Sequence, residues 1–422
     1  MQRAYLPLVL ILFLGLMVRL YIVDYPLQSE EANRDYLFAR HISFFDERPI
    51  FGNRNGSLEI FPNSPTYNYI TALPLLIHDS ALSLSIANIV FQLAMVVAVY
   101  FITRKIFDED IAILSAVILA LGKIFLTQSL WMWQPHLAVP LFYIALALLF
   151  TRFNLVSPIL LSISIATHLA VLIAVPVYVF MAIKHWKTNK KKLLIMFAIF
   201  IFSLLILFIP STSYTLPKLE HTSNFRLNVL LPQHFYSLLP LLVVLVIASI
   251  KKLIKNRKLL YALVVLVIAI PNLFNPVQGS FQKDRSKEIG VITNALANKV
   301  RYIENSRNLD NLNFFTFDVH ASAENNWFED NLAIYDAIFW APLEKKLNTQ
   351  FVRLDDKRGQ INFTRLNTDD FVFVSCPYFS SDQDEEENCL NKFQPASGRY
   401  ILVEKIKPSE NFSFYLMEKT IN

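Results

Sequence analysis

The chain has 422 residues, of which 54% are hydrophobic and only 17% charged, with a mean hydropathy of +0.39. A soluble domain carries about 45–50% apolar and about 25% charged residues, so a wholly soluble globule is excluded and a membrane protein is expected. The net charge of +5 does not point to nucleic acid, because the basic residues form short blocks between apolar runs and lack the interleaved aromatics of a binding groove.

In chain order, the first element is the apolar run 4–23. It has a basic start and no small-residue cleavage site, which predicts a retained membrane helix rather than a removed leader. Further crossings are expected at 82–103, 111–130, 136–150, 192–210, 234–250 and 259–275. Residues 155–183 are too long for one crossing. The basic residues Arg104, Lys105 and Arg152 and the blocks 184–192 and 251–258 belong on the cytoplasmic side. That parity requires 155–183 to go out and return as two short helices meeting near Thr167 and His168, which is tolerated where protein or water surrounds the helix ends. The expectation is a mainly α, polytopic helical membrane protein of about nine transmembrane helices. Its N-terminus lies inside, and residues 24–81, 211–233 and everything after 275 lie outside.

The tail after 275 differs in composition. Ile289, Ile292, Leu296, Val300 and Ile303 recur at helical spacing, and a second helix is expected over 326–347. The stretches FFTFDV, FVFVSC, RYILVEKI and FSFYLMEK read as strands. A small extracytoplasmic α/β domain over 276–422 follows, beside a transmembrane domain over 1–275. Cys376 and Cys389 are the chain's two cysteines, and their confinement to an external domain favours a disulfide. The acidic run between them lacks the glycine and ligand spacing of a calcium loop and reads as solvated. Acceptor patterns for N-glycosylation begin at Asn55, Asn362 and Asn411, all on the expected outer side.

No phosphate-cradling glycine loop, HExxH, CxxC or G-x-S-x-G pattern occurs, so nothing supports ATP hydrolysis, zinc proteolysis or serine hydrolysis. The first outer loop is instead rich in charge. It opens on SEEANRDYLFAR, with Glu30, Glu31 and Asp35 directly after a membrane helix. If 30–42 is helical, Tyr36 and Ala39 share a face with Ala32. The acids then either decorate a solvated interfacial helix or supply a general base whose pKa desolvation draws toward working pH.

The order of these segments resembles the GT-C superfamily of polyprenyl-phosphate-sugar glycosyltransferases, nearest to the protein O-mannosyltransferases and the lipid A aminoarabinose transferases. The likeness rests on a helix ending in Arg19, then PLQSEEANRDYLFARHI, FPNSPTYNYITALPLL and SIANIVFQLAMVVAVYFITRKIF. Glu30-Glu31-Ala32 stands where the family shows an Asp-Glu-Ala-type motif, and Pro65 and Tyr67 match part of its Pro-Pro-x-Tyr segment. The resemblance implies an inverting transfer on the outer face of a bacterial inner membrane, with Glu30 as base and Glu31 beside it. It implies a lipid-phosphate-linked sugar donor and a protein, lipid or glycan acceptor. Arg54, Asn63, Tyr67, His136 and His168 become candidates for donor-phosphate or substrate binding. No cofactor is certain, although a divalent metal held by His136 and His168 is one use of those rings. Asn63 replaces a basic residue common in the family, and His136 and His168 stand where an acidic or amide residue and a lysine are frequent. Arg19 either reaches a lipid phosphate or snorkels to the head groups. Phe125, Trp131 and Trp133 either stack on a sugar or belong to an interfacial belt. A flippase for a lipid-linked sugar and a non-catalytic scaffold are the alternatives from other classes.

Overall fold

The structure is a computed structural model and describes residues 5–23, 30–45, 64–130, 132–215, 236–254, 256–274, 280–307, 313–316, 343, 345–347, 351–353, 371–377, 400–409 and 412–419. The chain divides into two compact units. One comprises Met1–Pro26 and Arg48–Phe281, the other Leu27–Glu47 and Gln282–Asn422.

The first unit is helical. Its elements are α1 (Leu6–Ile22), α3 (Thr66–Leu75), α4 (Ala81–Ile106), α5 (Glu109–Leu121), α6 (Lys123–Thr127), α7 (Gln134–Leu148), α8 (Ser157–Thr167), α9 (Val175–Trp186), α10 (Lys190–Thr215), α11 (Leu239–Leu253) and α12 (Arg257–Phe274). Proline occupies the first turn of α1, α7, α8, α9 and α11. There its missing N–H costs no hydrogen bond and its fixed φ suits a helix start. Among the described residues, four helical stretches are long and apolar enough to cross a membrane: Ala81–Ile106, Leu169–Trp186, Lys190–Phe208 and Tyr236–Leu253. On α10, Leu194, Phe197, Phe202 and Leu205 are all more than half exposed, as expected of a helix whose surroundings are hydrocarbon rather than water.

The expected break within 155–183 is present, between two short helices. Helix α8 stops at Thr167, His168 adopts an extended backbone, and a 3-10 turn over Leu169–Ile173 leads into α9. The expected single span 111–130 is corrected. It breaks into α5 and α6 at Gly122, whose backbone turns extended (φ −67°, ψ 135°) while its N–H still closes α5 on the Ile118 carbonyl at 2.8 Å. A Cβ on Gly122 would lie 2.5 Å from that same oxygen, so this tight exit requires glycine.

At the opposite end of α5, acidic residues tie two helix turns together. Asp108 caps α5 by accepting from Ile111 N–H (3.1 Å), and Lys251 on α11 pairs with Asp108 (2.8 Å) and Asp110 (3.2 Å). Arg257 on α12 pairs with Asp110, and Arg104 on α4 with Glu109 (3.3 Å). Burial acts to raise the Asp108 carboxyl, but the hydrogen bonds from Lys251 and the Ile111 N–H outweigh it and hold the pKa below its ordinary value.

The second unit holds α2 (Glu30–Phe44), α13 (Ser280–Arg307) and a five-stranded mixed sheet. The strands are β1 (Asn313–Thr316), β2 (Phe351–Arg353), β3 (Phe371–Pro377), β4 (Tyr400–Ser409) and β5 (Phe412–Lys419), in the order β2-β1-β3-β5-β4. β1 is parallel to both β2 and β3, whereas β5 runs antiparallel to β3 and β4. On α13, Leu296, Val300 and Ile303 are buried while Val291 is exposed. β2 was not anticipated, since three residues carry too little periodicity to read. Of the second expected helix, Leu343 and residues 345–347 are described and helical. Cys376 lies on β3, and Cys389 and the acidic run lie outside the described residues.

Candidate functional site

The end of the first unit where α5 breaks carries an unusual density of buried polar groups. Arg19, fully buried on α1, makes four hydrogen bonds there. Its Nε donates to Ser129 Oγ (2.8 Å), Nη1 to the carbonyls of Gly15 (3.1 Å) and Ala120 (2.5 Å), and Nη2 to that of Leu119 (3.2 Å). The carbonyls of Leu119 and Ala120 belong to the last turn of α5, which has no intrahelical donors left. A cation there also complements the helix dipole. Gly15 makes the approach possible, since a Cβ would meet the Ala120 Cβ at 3.2 Å. Arg19 thus neither snorkels outward nor presents its donors to a ligand, contrary to both sequence expectations.

A second device pins the chain between α6 and α7. Three polar residues on one face of the apolar helix α4 hold it. Ser85 Oγ donates to the Leu130 carbonyl (2.9 Å), Asn88 Nδ2 to Gln128 O (2.8 Å) and Gln92 Nε2 to His136 O (2.8 Å). Tyr67, buried on α3, donates through its hydroxyl to Met132 O (2.8 Å). The sequence signal for this device is a polar ladder at i, i+3 and i+7 inside a 26-residue apolar helix.

These bonds shape one wall of a cleft of about 580 Å³. Ile118, Phe125, Val267, Ile268 and Pro271 give it an apolar lining. Lys123, Thr127, Gln128, Tyr236 and His136 add polar groups, and the Trp133 ring meets His136 edge-on at 5.2 Å between centroids. An apolar trough with a few polar groups suits an amphiphile with a small head. Lys123 and Tyr236 were not among the sequence candidates, because a single lysine after a glycine carries no pattern by itself.

The sequence candidates distribute as follows. His136 lines the cleft. Tyr67 braces the loop behind its wall. His168 is buried and caps the 3-10 turn, its Nδ1 accepting from Ala170 N–H at 3.1 Å, so that nitrogen is engaged and unavailable to a metal. Among the described residues no three His, Cys, Asp or Glu side chains gather as a metal site. Glu30 and Glu31 form the first residues of α2. Further along α2, Asp35 to His41 are all buried, which a helix merely lying in solvent would not show. The Arg40 guanidinium lies 5.7 Å from the Phe44 ring centroid and 6.0 Å from that of Phe45. Arg54, Asn63 and Trp131 lie outside the described residues.

Comparison with solved structures bears on this architecture. ArnT from Cupriavidus metallidurans, solved bound to undecaprenyl phosphate, superposes with a TM-score of 0.58 over 97% of both chains at 11% sequence identity. The fold is GT-C. At that identity the likeness lies in the fold and not in particular side chains. The Archaeoglobus fulgidus oligosaccharyltransferase in its apo form aligns over 66% of this chain and 38% of its own, with 14% identity and a TM-score of 0.34. No family profile matches the chain, and no curated protein does.

Proposed function

We propose that the protein is an integral-membrane glycosyltransferase that moves a sugar from a polyprenyl-phosphate carrier to an acceptor hydroxyl on the extracytoplasmic face. The observation that carries this reading is the superposition with ArnT over nearly the whole of both chains, joined to the amphipathic cleft of the first unit. In this proposal the carrier's isoprenoid chain lies along Ile118, Phe125, Val267 and Ile268. Lys123 and His136 face its phosphate, where positive charge stabilises the leaving group.

Glu30 is proposed as general base, with Glu31 orienting it or the acceptor. The carboxylate takes the acceptor proton as the oxygen attacks the anomeric carbon. The bond from that carbon to the phosphate oxygen breaks, its electron pair leaves with the polyprenyl phosphate, and the anomeric configuration inverts. Arg54 and Asn63 are kept as further proposed donor contacts, and no step is derived through a metal. The unit containing the sheet is proposed to lie outside and to help position the acceptor, with Cys376 and Cys389 joined.

Photo-crosslinking with a benzophenone-bearing polyprenyl phosphate tests the cleft. Label is expected on peptides spanning α5–α6 and α12, and it should be competed by unlabelled carrier. Label confined to other helices would contradict the assignment.

A further inference from the structure

The end of the first unit opposite the cleft treats its basic residues in two distinct ways. Asp108, Glu109 and Asp110 are the only acids in the sequence between residues 81 and 210, and there are none from 234 to 274. All three are engaged by Arg104, Lys251 and Arg257. A separate group of cations therefore has no carboxylate in these segments to meet. Lys105 on α4 lies 5.4 Å from the Phe150 ring, Phe150 meets His185 at 5.1 Å, and His185 meets Trp186 at 4.7 Å. Lys192 on α10 sits 3.8 Å from the Trp186 ring. Both ammoniums lie within electrostatic reach of His185. Four segments thus bring two lysines, one imidazole and two aromatic rings into a single stack.

We infer that this stack is a binding site for the phosphate of an anionic phospholipid headgroup. Aromatic faces attract cations, by about 0.5–1 kcal/mol at exposed positions, but cancel no charge. Helix α10 begins with Lys190, Lys191 and Lys192 and has no acidic residue in its first turn, where the helix dipole already favours an anion. The indole Nε1 of Trp186 is buried and has no hydrogen-bond acceptor among the described residues. A buried donor of that kind calls for a ligand atom to receive it. A phosphate oxygen meets both needs, accepting from the indole while balancing the lysines. A lipid, rather than free phosphate, is favoured by the flanks. Phe180, Ile183, Leu194 and Phe197 on α9 and α10 are half or more exposed, which provides apolar surface for acyl chains directly beside the charges. This site is independent of the transferase proposal.

Native mass spectrometry of the full chain released from nanodiscs tests it, using vesicle lipid of phosphatidylglycerol mixed with phosphatidylcholine. The wild type is expected to retain a phosphatidylglycerol that phosphatidylcholine does not replace. Lys105→Gln with Lys192→Gln should weaken retention about thirtyfold, since each basic residue near an anionic surface contributes about a factor of five. Trp186→Phe keeps the ring and removes the N–H, and should weaken retention about tenfold. The control pair Lys252→Gln with Lys258→Gln, at the same end but outside the stack, should retain the lipid. Equal loss in that control would reduce the effect to diffuse charge and overturn the site. So would undiminished retention in the Lys105/Lys192 pair. Displacement of the lipid by inorganic phosphate at millimolar concentration would overturn the lipid assignment.

Discussion

Replacing Arg19 by methionine isolates what the buried guanidinium does. The substitution removes the donors to Leu119 O, Ala120 O and Ser129 Oγ and fills much of the same volume with an apolar chain. Two carbonyls of the last α5 turn then lose their partner away from water, at about 1–3 kcal/mol each, or about 2–6 kcal/mol together. Relief from burying a charge offsets part of that, because an ion exchanged for a packed hydrophobe recovers its desolvation cost. A net loss of about 2 kcal/mol or more is expected, with Arg19→Lys in between, since one ammonium cannot span all the acceptors. The assay is unfolding of the purified protein by SDS titration in mixed micelles, followed by tryptophan fluorescence. If Arg19 instead served a lipid phosphate, Arg19→Met would unfold at the wild-type SDS fraction and lose only carrier binding. That result would refute the clamp.

Two further outcomes follow from the same geometry. Gln92→Leu releases the His136 carbonyl and loosens the wall bearing Trp133 and His136. The KM for the lipid-linked donor should rise about two- to tenfold, as loss of one buried hydrogen bond implies, with kcat changed less; steady-state kinetics over a donor series separates the two. Asp108 has a folded pKa below its ordinary value, so its contribution to stability is present above the unfolded pKa of about 3.9 and is lost as pH falls through the lower folded value. Acid melting curves between pH 6 and pH 3 should therefore be flatter for Asp108→Asn, which keeps the cap on Ile111 but not the charge opposite Lys251.

Much of the helical frame could be read from apolar runs and basic blocks, because hydrocarbon imposes length and sidedness on each segment. The break at His168 was readable from the length of the apolar run 155–183, which is too long for one crossing. The break at Gly122 was not. The run 111–130 stays apolar throughout, and the need for glycine arises only once the Ile118 carbonyl is in place. Four strands announced themselves through aromatic and β-branched residues, whereas Phe351–Arg353 was too short. In the candidate site, His136 was picked out as a departure from a motif. Lys123 was missed because a single lysine after a glycine carries no pattern, and the ladder of Ser85, Asn88 and Gln92 because its partners are backbone carbonyls some forty residues away in sequence, which no local pattern encodes. Arg19 was noticed but given the two roles that an isolated helix would allow. Its actual acceptors exist only where α1 meets α5.

The central claim, sugar transfer from a polyprenyl phosphate assisted by the carboxylate at the start of α2, is tested most directly by Glu30→Gln. Purified wild-type and variant proteins in nanodiscs would be given a panel of radiolabelled polyprenyl-phosphate sugars with envelope extract as acceptor, and transferred label counted against time. Removal of a general base should lower turnover at least about a hundredfold, with donor binding by filter assay unchanged and Glu31→Gln less affected. Transfer at the wild-type rate in Glu30→Gln, in Glu31→Gln and in the double variant would contradict the account.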